Sequence, residues 1–249
     1  MDILYVVGNG SKWNNNELRY SLRSIAKYGR NIDRVYLVGS KPDFVSNKVH
    51  YLPCVDKYDT LVHKHKNIMH KVLTAIDKTD IANHFLVSSD DHFYIKETDF
   101  DNYPVYYRKE EIPAEITEIQ VHNPYFKSLL QTRSLLLKYG MPIFQTNPHC
   151  NTHFRTDLYC GNKYLFDEAM SLEYGGEMNC IMGNLFVQNG VTPQWVRDSK
   201  MSKIEYSDRK VFDARIANVH CFSMADRSLQ FGIADYLYSM FPDKCIYEK

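Results

Sequence analysis

The run ILYVVGNG at residues 3–10 decides the fold class, because five apolar residues end abruptly at two glycines that flank an asparagine. Such a run predicts a buried strand followed by a flexible loop. A helical repeat follows over residues 14–29, and further apolar runs stand at residues 35–39 and 49–52. Strand, helix and strand joined by short connections predict a right-handed βαβ unit with parallel strands. The chain is therefore predicted to be an α/β protein.

A second run, FLVSSDDHFYI at residues 85–95, is interrupted by two adjacent carboxylates, Asp90 and Asp91. Two aspartates at the end of a buried strand repel each other and lose hydration, so a divalent cation is expected to compensate them. Carboxylate oxygens suit Mg²⁺ or Mn²⁺, and both ions keep positions open for phosphate oxygens. The alternative is a solvated turn between two strands in which an aspartate acts as a turn or cap residue.

The helix predicted over residues 63–76 is unusually basic on its polar positions. Ligands of parallel sheets bind beyond the carboxyl ends of the strands, so the loop at residues 8–10 and the Asp90–Asp91 turn are predicted to face one crevice. Because the helix directly precedes the Asp-Asp strand, Lys66, Asn67 and Lys71 are candidates to contact a diphosphate there. A solvated helix face is the competing interpretation.

Composition limits the class of protein. The 249 residues are 44% hydrophobic and 24% charged, which fits one large domain or two small ones with a proper core. The 30 Lys+Arg balance the 30 Asp+Glu, so bulk polyanion binding is not favoured. No segment is apolar for long enough to span a bilayer, and the N-terminus is typical of a first strand, not of a signal peptide. The six cysteines form no Cys-x-x-Cys pair, so reduced thiols and a cytoplasmic location are expected.

Other candidate residues lie in the second half of the chain. His149 and His153 have the i, i+4 spacing of a helical zinc pair but lack a third ligand nearby, so an acceptor-binding or catalytic role for His149 is favoured. His220 follows a predicted strand and is either a core histidine or a second metal ligand. Glu173 and Glu177 flank two glycines, and either is a candidate general base for an acceptor hydroxyl or a solvated loop carboxylate.

The remaining pattern predicts these further elements: strands at 105–107, 192–196 and 214–221, helices at 125–139, 164–172, 178–187 and 228–241, and a loop at 142–153. A Walker loop and a Gly-x-Gly-x-x-Gly motif are absent from the sequence, which argues against a P-loop NTPase or a Rossmann dehydrogenase.

Three stretches together resemble a known family. The segments VVGNG at residues 6–10 and NELRYSLRSI at residues 16–25 resemble the start of a GT-A type nucleotide-sugar glycosyltransferase domain. The second segment, with VYLV at residues 35–38, is particularly similar to Stealth-type sugar-phosphate transferases. The segment at residues 85–91 resembles the Asp-x-Asp strand end of GT-A enzymes, although Ser89 stands where those enzymes often carry the first aspartate.

The resemblance implies a GT-A-like (Rossmann-like), mixed and mostly parallel sheet flanked by helices. It implies that Val7, Gly8 and Asn9 border the nucleotide, that Lys66 and Asn67 approach the diphosphate, and that Asp91 holds the metal. His220 is similar to the late metal-binding histidine of some GT-A families. One domain over residues 1–249 is expected, with a nucleotide-sugar-binding half at 1–100 and an acceptor-binding half at 101–249.

These observations predict a metal-dependent glycosyltransferase that moves a sugar from a nucleotide-diphospho-sugar to an acceptor hydroxyl with Mn²⁺ or Mg²⁺. Asp91 and His220 are expected to bind the metal, Asp90 to orient the sugar or ribose, and Lys66 and Lys71 to offset phosphate charge. The acceptor is expected to be a carbohydrate, with a modified DNA base as the second class. The alternatives are a Stealth-type hexose-1-phosphate transferase and a non-catalytic sugar or nucleotide binding protein.

Overall fold

A computed structural model describes residues 1–201 and 208–249. Its strands are β1 (Asp2–Val7), β2 (Gly29–Arg30), β3 (Val35–Gly39), β4 (Val49–Pro53), β5 (His84–Ser88), β6 (His92–Tyr94), β7 (Thr98–Asp99), β8 (Tyr106–Tyr107), β9 (Thr152–Arg155), β10 (Gln194–Trp195) and β11 (Cys221–Ser223). Its helices are α1 (Asn16–Tyr28), α2 (Lys64–Lys78), α3 (Pro124–Lys138), α4 (Thr156–Gly161), α5 (Lys163–Ser171), α6 (Met178–Gln188), α7 (Arg209–Ile216), a 3₁₀ helix (Asp226–Phe231) and α8 (Ile233–Met240).

The central sheet has five strands in the order β4-β3-β1-β5-β9. β1 pairs in parallel with both β3 and β5, and β3 pairs in parallel with β4. Only the edge strand β9 runs antiparallel, with Leu86 opposite His153 in the ladder. The prediction of a mixed, mostly parallel sheet is confirmed, and so is the βαβ unit built from β1, α1 and β3.

Both faces of the sheet are covered because successive side chains of a strand point to opposite sides. Ile3 and Tyr5 of β1 pack on one face with Leu22 of α1. Leu4 of the same strand packs on the other face with Val72 of α2. All five side chains are fully buried. Helices therefore flank the sheet on both sides, as the near-continuous apolar character of β1 predicts for a parallel sheet.

Short two-stranded ladders outside the central sheet bring distant segments together. β6 pairs antiparallel with β11, so that His92 lies opposite Ser223. β8 pairs in parallel with β10, with Tyr106 opposite Gln194 and Tyr107 opposite Trp195. These two ladders attach the C-terminal half of the chain to the region that follows β5.

Several predictions about elements in the second half were wrong. Residues 214–221 were expected to form one strand, but they contain the end of α7, a turn and the start of β11. Phe212 of α7 packs with Phe222 of β11 in a third core cluster, and this tertiary contact overrides the local alternation of apolar residues. The segment expected as a loop at 142–153 ends in β9, because β5 offers an unpaired edge to residues 152–155.

Within the described ranges, no helix combines the length and the apolar composition that crossing a membrane requires.

Candidate functional site

Loops from several strands converge at one edge of the central sheet, which we call the carboxyl edge. β1, β3, β4 and β5 are parallel, so the loops that follow them all leave from this edge. The segment before β9 arrives at the same edge because β9 is antiparallel. The Oδ1 atom of Asn151 lies 3.3 Å from Nδ1 of the buried His92, which connects that segment to the turn after β5. The carboxyl edge is where ligands of parallel sheets bind.

Asp90 and Asp91 form the turn between β5 and β6 at this edge. Asp91 Oδ2 lies 3.4 Å from the Lys200 ammonium, and the Asp91 side chain is 20% exposed. Burial and the neighbouring charge of Asp91 raise the pKa of Asp90 to about 7. Burial alone would raise the pKa of Asp91 as well, but Lys200 and His92 draw it below its usual value. The two carboxyls therefore differ in charge near neutral pH.

A third carboxylate adds to the negative charge around this turn. Glu17, near the start of α1, is only 8% exposed, and its Oε2 atom is buried without a hydrogen-bond partner among the described residues. Its charge contributes to the raised pKa of Asp90, while the Lys64 ammonium at the start of α2 opposes that rise. The Glu17 oxygen thus lacks a hydrogen-bond partner in the electrostatic environment of two aspartates whose charges repel each other. A bound cation would reduce this repulsion.

The donor chemistry at this turn fits Mg²⁺ or Mn²⁺ held partly by the protein. Carboxylate oxygens are the preferred ligands of both ions, and Mg²⁺ commonly takes one or two carboxylates and completes its shell with water and phosphate oxygens. Within residues 1–201 and 208–249, no three His, Cys, Asp or Glu side chains lie close enough together to hold a metal ion. Asp90 and Asp91 are the carboxyl-bearing residues of the turn itself, and a metal held there would need water or phosphate oxygens to complete its shell.

His220 lies away from this pair. The Ile95 amide donates a hydrogen bond of 2.9 Å to the His220 carbonyl. His220 therefore lies beside the end of β6 that is farther from Asp91. Four residues of extended chain separate Asp91 from Ile95, or roughly 13 Å. The His220 ring stacks on Tyr106 at 5.2 Å, and its Nε2 lies 3.2 Å from the Tyr103 hydroxyl. The structure thus does not bring His220 to the Asp91 carboxylate.

His149 lies in the segment before β9 and is held by an aspartate. Its Nδ1 atom lies 2.5 Å from Oδ1 of Asp198, and 26% of the His149 side chain is exposed. Burial lowers the pKa of His149, while the Asp198 carboxylate opposes that change. His149 in turn helps to lower the pKa of Asp91, so the two groups share one electrostatic environment. His153, the other member of the predicted zinc pair, instead contacts His84 at 2.9 Å.

Arg108 fixes the other side of Asp198. Arg108 Nη1 donates to Asp198 Oδ2 at 2.7 Å, and Arg108 Nη2 donates to the Tyr125 hydroxyl. The Asn147 amide also donates to that hydroxyl, at 3.2 Å. Burial would raise the pKa of Asp198, but His149 and Arg108 hold it well below its usual range. Asp198 is therefore a charged acceptor with both carboxylate oxygens committed.

The loop predicted to border the nucleotide begins where β1 ends. Gly8 and Asn9 are exposed, whereas Val7 is fully buried. The Val7 carbonyl accepts a hydrogen bond of 3.1 Å from the Lys71 ammonium. Lys71 is only 4% exposed and also forms an ion pair of 2.6 Å with Asp56. Lys71 thus ties the end of β1 to the loop after β4 from within the protein.

Asn67 organises the same loop. Its side-chain oxygen accepts from the backbone amides of Lys57 and Tyr58 at 3.0 Å each, and its amide nitrogen donates to the Tyr58 carbonyl. The Lys66 ammonium lies 5.6 Å from the centre of the Tyr58 ring. Asn67 shapes the loop after β4, and Lys66 is held above an aromatic ring of that loop.

The two glutamates that flank the glycines have different environments. Glu173 is exposed. Glu177 is buried, caps α6 by accepting from the Cys180 amide at 2.8 Å, and has its pKa raised by burial. Gly175 has a φ of +75°, and a Cβ there would lie 2.7 Å from Lys66 Cγ. The close approach that the glycine permits is therefore to α2.

Sequence reasoning included Lys64 among the basic positions of the helix at residues 63–76, but it missed Lys200, Arg108 and Asp198. In the structure, Arg108 directly follows β8, and Asp198 comes shortly after β10. These strands are paired in parallel, so the residues beyond their carboxyl ends meet. Nothing in the sequence alone indicates that pairing, because the paired residues Tyr107 and Trp195 are almost ninety positions apart in the chain.

Comparison with known proteins gave similarity to solved structures only. No protein-family model and no curated protein sequence matches the chain. A structure of the galactosyltransferase LgtC with donor and acceptor sugar analogues is similar over 98% of this chain and 96% of that chain, at 8% identity and a TM-score of 0.49. A structure of an LgtC active-site mutant is similar over 90% of this chain and 87% of that chain, at 8% identity and a TM-score of 0.46. We therefore base the proposed function on the residues of this chain.

Proposed function

We propose that the protein is a glycosyltransferase that moves a sugar from a nucleotide-diphospho-sugar to an acceptor hydroxyl, assisted by a divalent metal ion. The observation that carries this proposal is the Asp90–Asp91 turn at the carboxyl edge, with the ammonium groups of Lys64 and Lys200 in its electrostatic environment. Carboxylates for a metal and ammonium groups for phosphates are the two features that a nucleotide diphosphate requires of its site.

The donor is proposed to lie along the loops of the carboxyl edge. Gly8 and Asn9 are exposed directly beyond β1 and can border the nucleotide, with Val7 as the buried residue that ends the strand. Lys64 and Lys66, in the first turn of α2, supply positive charge near a helix N-terminus, which favours bound phosphate. Asn67 and Lys71 act indirectly, because their polar atoms hold the loop after β4 in place.

Asp91 and Asp90 would hold the metal ion. When bound, the ion would neutralise the diphosphate as it leaves with the electron pair of the broken bond. The protein's own part is to hold the two carboxylates in the turn between β5 and β6 and to place Lys200 beside Asp91. His220 has no part in this proposal, because it lies at the far end of β6.

Binding of the donor can be tested by thermal unfolding with a panel of nucleotide sugars, each with and without Mn²⁺ or Mg²⁺. A ligand at about 100 times its Kd adds about 2.7 kcal/mol to the free energy of unfolding. For a chain of this size that gain raises the Tm by roughly 5–10 °C. We expect a shift of this size that depends on metal for one class of nucleotide sugar. No shift with any donor would count decisively against the proposal.

Matched variants locate the effect. Asp91→Asn is expected to abolish the metal-dependent part of the shift. Asp157→Asn is the control, since Asp157 also forms an ion pair but bonds Asn83, beside the first residue of β5, at the opposite edge of the sheet. Equal loss in both variants would show that the effect is not specific to the carboxyl edge.

The released nucleotide identifies the reaction. A nucleoside diphosphate indicates transfer of the sugar alone, whereas a nucleoside monophosphate indicates transfer of a sugar phosphate, the alternative that the resemblance to Stealth-type enzymes implies. Binding of a nucleotide sugar without metal dependence or turnover would indicate a binding protein instead.

Oligosaccharides are the first acceptors to test, and DNA with hydroxylated bases is the second.

A further inference from the structure

A line of hydrogen bonds leads from Arg108 through Asp198 to His149 at the carboxyl edge. Both Asp198 oxygens accept, one from the Arg108 guanidinium at 2.7 Å and one from His149 Nδ1 at 2.5 Å. A carboxylate that accepts from Nδ1 leaves the lone pair of the neutral ring on Nε2. Nε2 forms no hydrogen bond with a residue in the ranges 1–201 and 208–249, and 26% of the side chain is exposed.

We propose that His149 Nε2 is the general base that takes the proton of the acceptor hydroxyl, and that Asp198, held by Arg108, is its positioning residue. This inference rests on the proposed function. In the step, the acceptor oxygen forms a bond to the anomeric carbon while its proton moves to Nε2. The bond from that carbon to the diphosphate oxygen breaks, and its electron pair leaves with the nucleoside diphosphate.

The arrangement fits a base because each property that a base needs has a separate source. Asp198 fixes the tautomer and the orientation of the ring, as a carboxylate does for a catalytic histidine. Arg108 keeps Asp198 charged and is itself anchored by the Tyr125 hydroxyl. The His149 side chain is 26% exposed, so it is not closed off from solvent.

The two glutamates suit this task less well. Glu177 is buried, and one of its carboxylate oxygens is committed to the first turn of α6. Glu173 is exposed, and its carboxylate forms no hydrogen bond or ion pair with any described residue, so nothing in that part of the chain orients it. His149 is the candidate whose side chain is both oriented by a partner and partly exposed.

The charge on His149 depends on the groups around it. Asp198 contacts the ring, and Arg108, Lys200, Asp91 and His92 interact with His149 electrostatically. Of the groups that act on His149, Asp198 favours the protonated ring, while Arg108 and Lys200 disfavour it. Removing the charge of Asp198 therefore shifts the titration of His149 to lower pH.

The test compares the full-length parent protein with Asp198→Asn, His149→Gln and the ion-pair control Asp157→Asn. For each, kcat, KM for the donor and the pH dependence of kcat are measured, together with the ring tautomer of His149 by NMR of ¹⁵N-labelled protein. A positioned general base contributes about 100-fold to 10,000-fold in rate. We expect Asp198→Asn and His149→Gln each to lower kcat at least about 100-fold, with the donor KM changed less than about threefold.

Two further readouts separate positioning from a structural role. In Asp198→Asn the acidic limb of the pH profile should move to lower pH, and the NMR signal of the Nδ1-protonated tautomer should weaken. A variant that retains the parental kcat and pH profile would overturn the inference, and so would a loss confined to donor KM. Absence of turnover in the parent protein would refute the proposed function and this inference with it, which distinguishes that failure from a failure of His149 alone.

Discussion

Acidification should destabilise the protein through histidines that are buried in the neutral form, and His153 gives the sharpest test. His153 is 8% exposed, and its Nδ1 lies 2.9 Å from Nε2 of His84. Burial, with a smaller contribution from the His84 charge, lowers the pKa of His153 to about 4. In the unfolded chain a histidine has a pKa of about 6.5. The neutral ring is therefore favoured by the folded state.

The sign and the size follow from linkage. Because the folded pKa is the lower one, the stability that His153 contributes is present above about pH 6.5 and is lost as the pH falls toward 4. Over the full range the difference of about 2.5 pKa units corresponds to roughly 3.4 kcal/mol. Between about pH 7 and pH 5, the two titration curves give a loss of roughly 1.8 kcal/mol.

Urea unfolding of the parent protein and of His153→Gln at several pH values measures this directly. Glutamine keeps an amide near His84 but does not titrate, so the difference in unfolding free energy between the two proteins should shrink by roughly 1.8 kcal/mol between about pH 7 and pH 5. His122→Gln is the control, because His122 is exposed. Parallel pH curves for the parent and His153→Gln would refute the reasoning.

Three further outcomes can be measured on the same protein. Glu248→Gln breaks a 2.6 Å ion pair with Arg23 in which both side chains are at least 91% buried, so it should lower the unfolding free energy by about 3 kcal/mol. The control Glu97→Gln removes an exposed ion pair and should change the unfolding free energy by less than about 1 kcal/mol. Gly183→Ala would put a Cβ 2.1 Å from the Thr146 hydroxyl oxygen, so it should lower the unfolding free energy measured in urea by about 1–3 kcal/mol. In the control Gly161→Ala the new Cβ meets no atom within 4 Å, so the unfolding free energy should fall by less than about 0.5 kcal/mol. Removal of divalent metal by EDTA should abolish sugar transfer, and added Mn²⁺ should restore it; transfer that persists in EDTA would contradict the role given to the Asp-Asp turn.

The first hundred residues could be predicted well because their signals are local. The apolar run of β1 ends at glycines, and the apolar positions of α1 repeat at helical spacing. Both features depend on neighbours within a few residues, and the parallel pairing of β1 with β3 follows from the short connection between them. The order of these elements is what places the Asp-Asp turn at the carboxyl edge.

The second half could not be predicted in the same way because its elements depend on distant partners. β9 is four residues long and exists as a strand because β5 has a free edge. The helix α7 and the strand β11 replace a predicted strand because Phe212 and Phe222 pack together in a cluster completed by residues from the C-terminus. Short elements of this kind carry too little periodicity to be recognised before their partners are known.

The same distinction explains which part of the candidate site was found. Asp90 and Asp91 are adjacent in sequence and stand at the end of an apolar run, so they can be recognised as candidates from the sequence pattern alone. A counter-charge for Asp91 comes from Lys200, which is 109 residues away in the chain. The amide of the next residue, Met201, donates to the Ser223 carbonyl, and Ser223 lies opposite His92 in the β6–β11 ladder. This pairing brings Lys200 to Asp91. Local sequence therefore locates negative charge at this edge, and only the fold shows how it is compensated.

Zero net charge argues against bulk polyanion binding, but it does not describe the local charge at this edge of the sheet. Lys64, Lys200 and Arg108 are gathered there among acidic groups, and each of them has a different task in the structure. Arg108 donates to Asp198 and to Tyr125, so a phosphate that drew Arg108 away would remove one of the partners that hold Asp198. The Lys200 ammonium lies 3.4 Å from Asp91 and its side chain is 39% exposed, so solvent and a phosphate oxygen can reach it. A donor that recruits Lys200 would leave the Asp91 carboxylate uncompensated, and this is the circumstance in which a divalent cation becomes most favourable at the turn after β5.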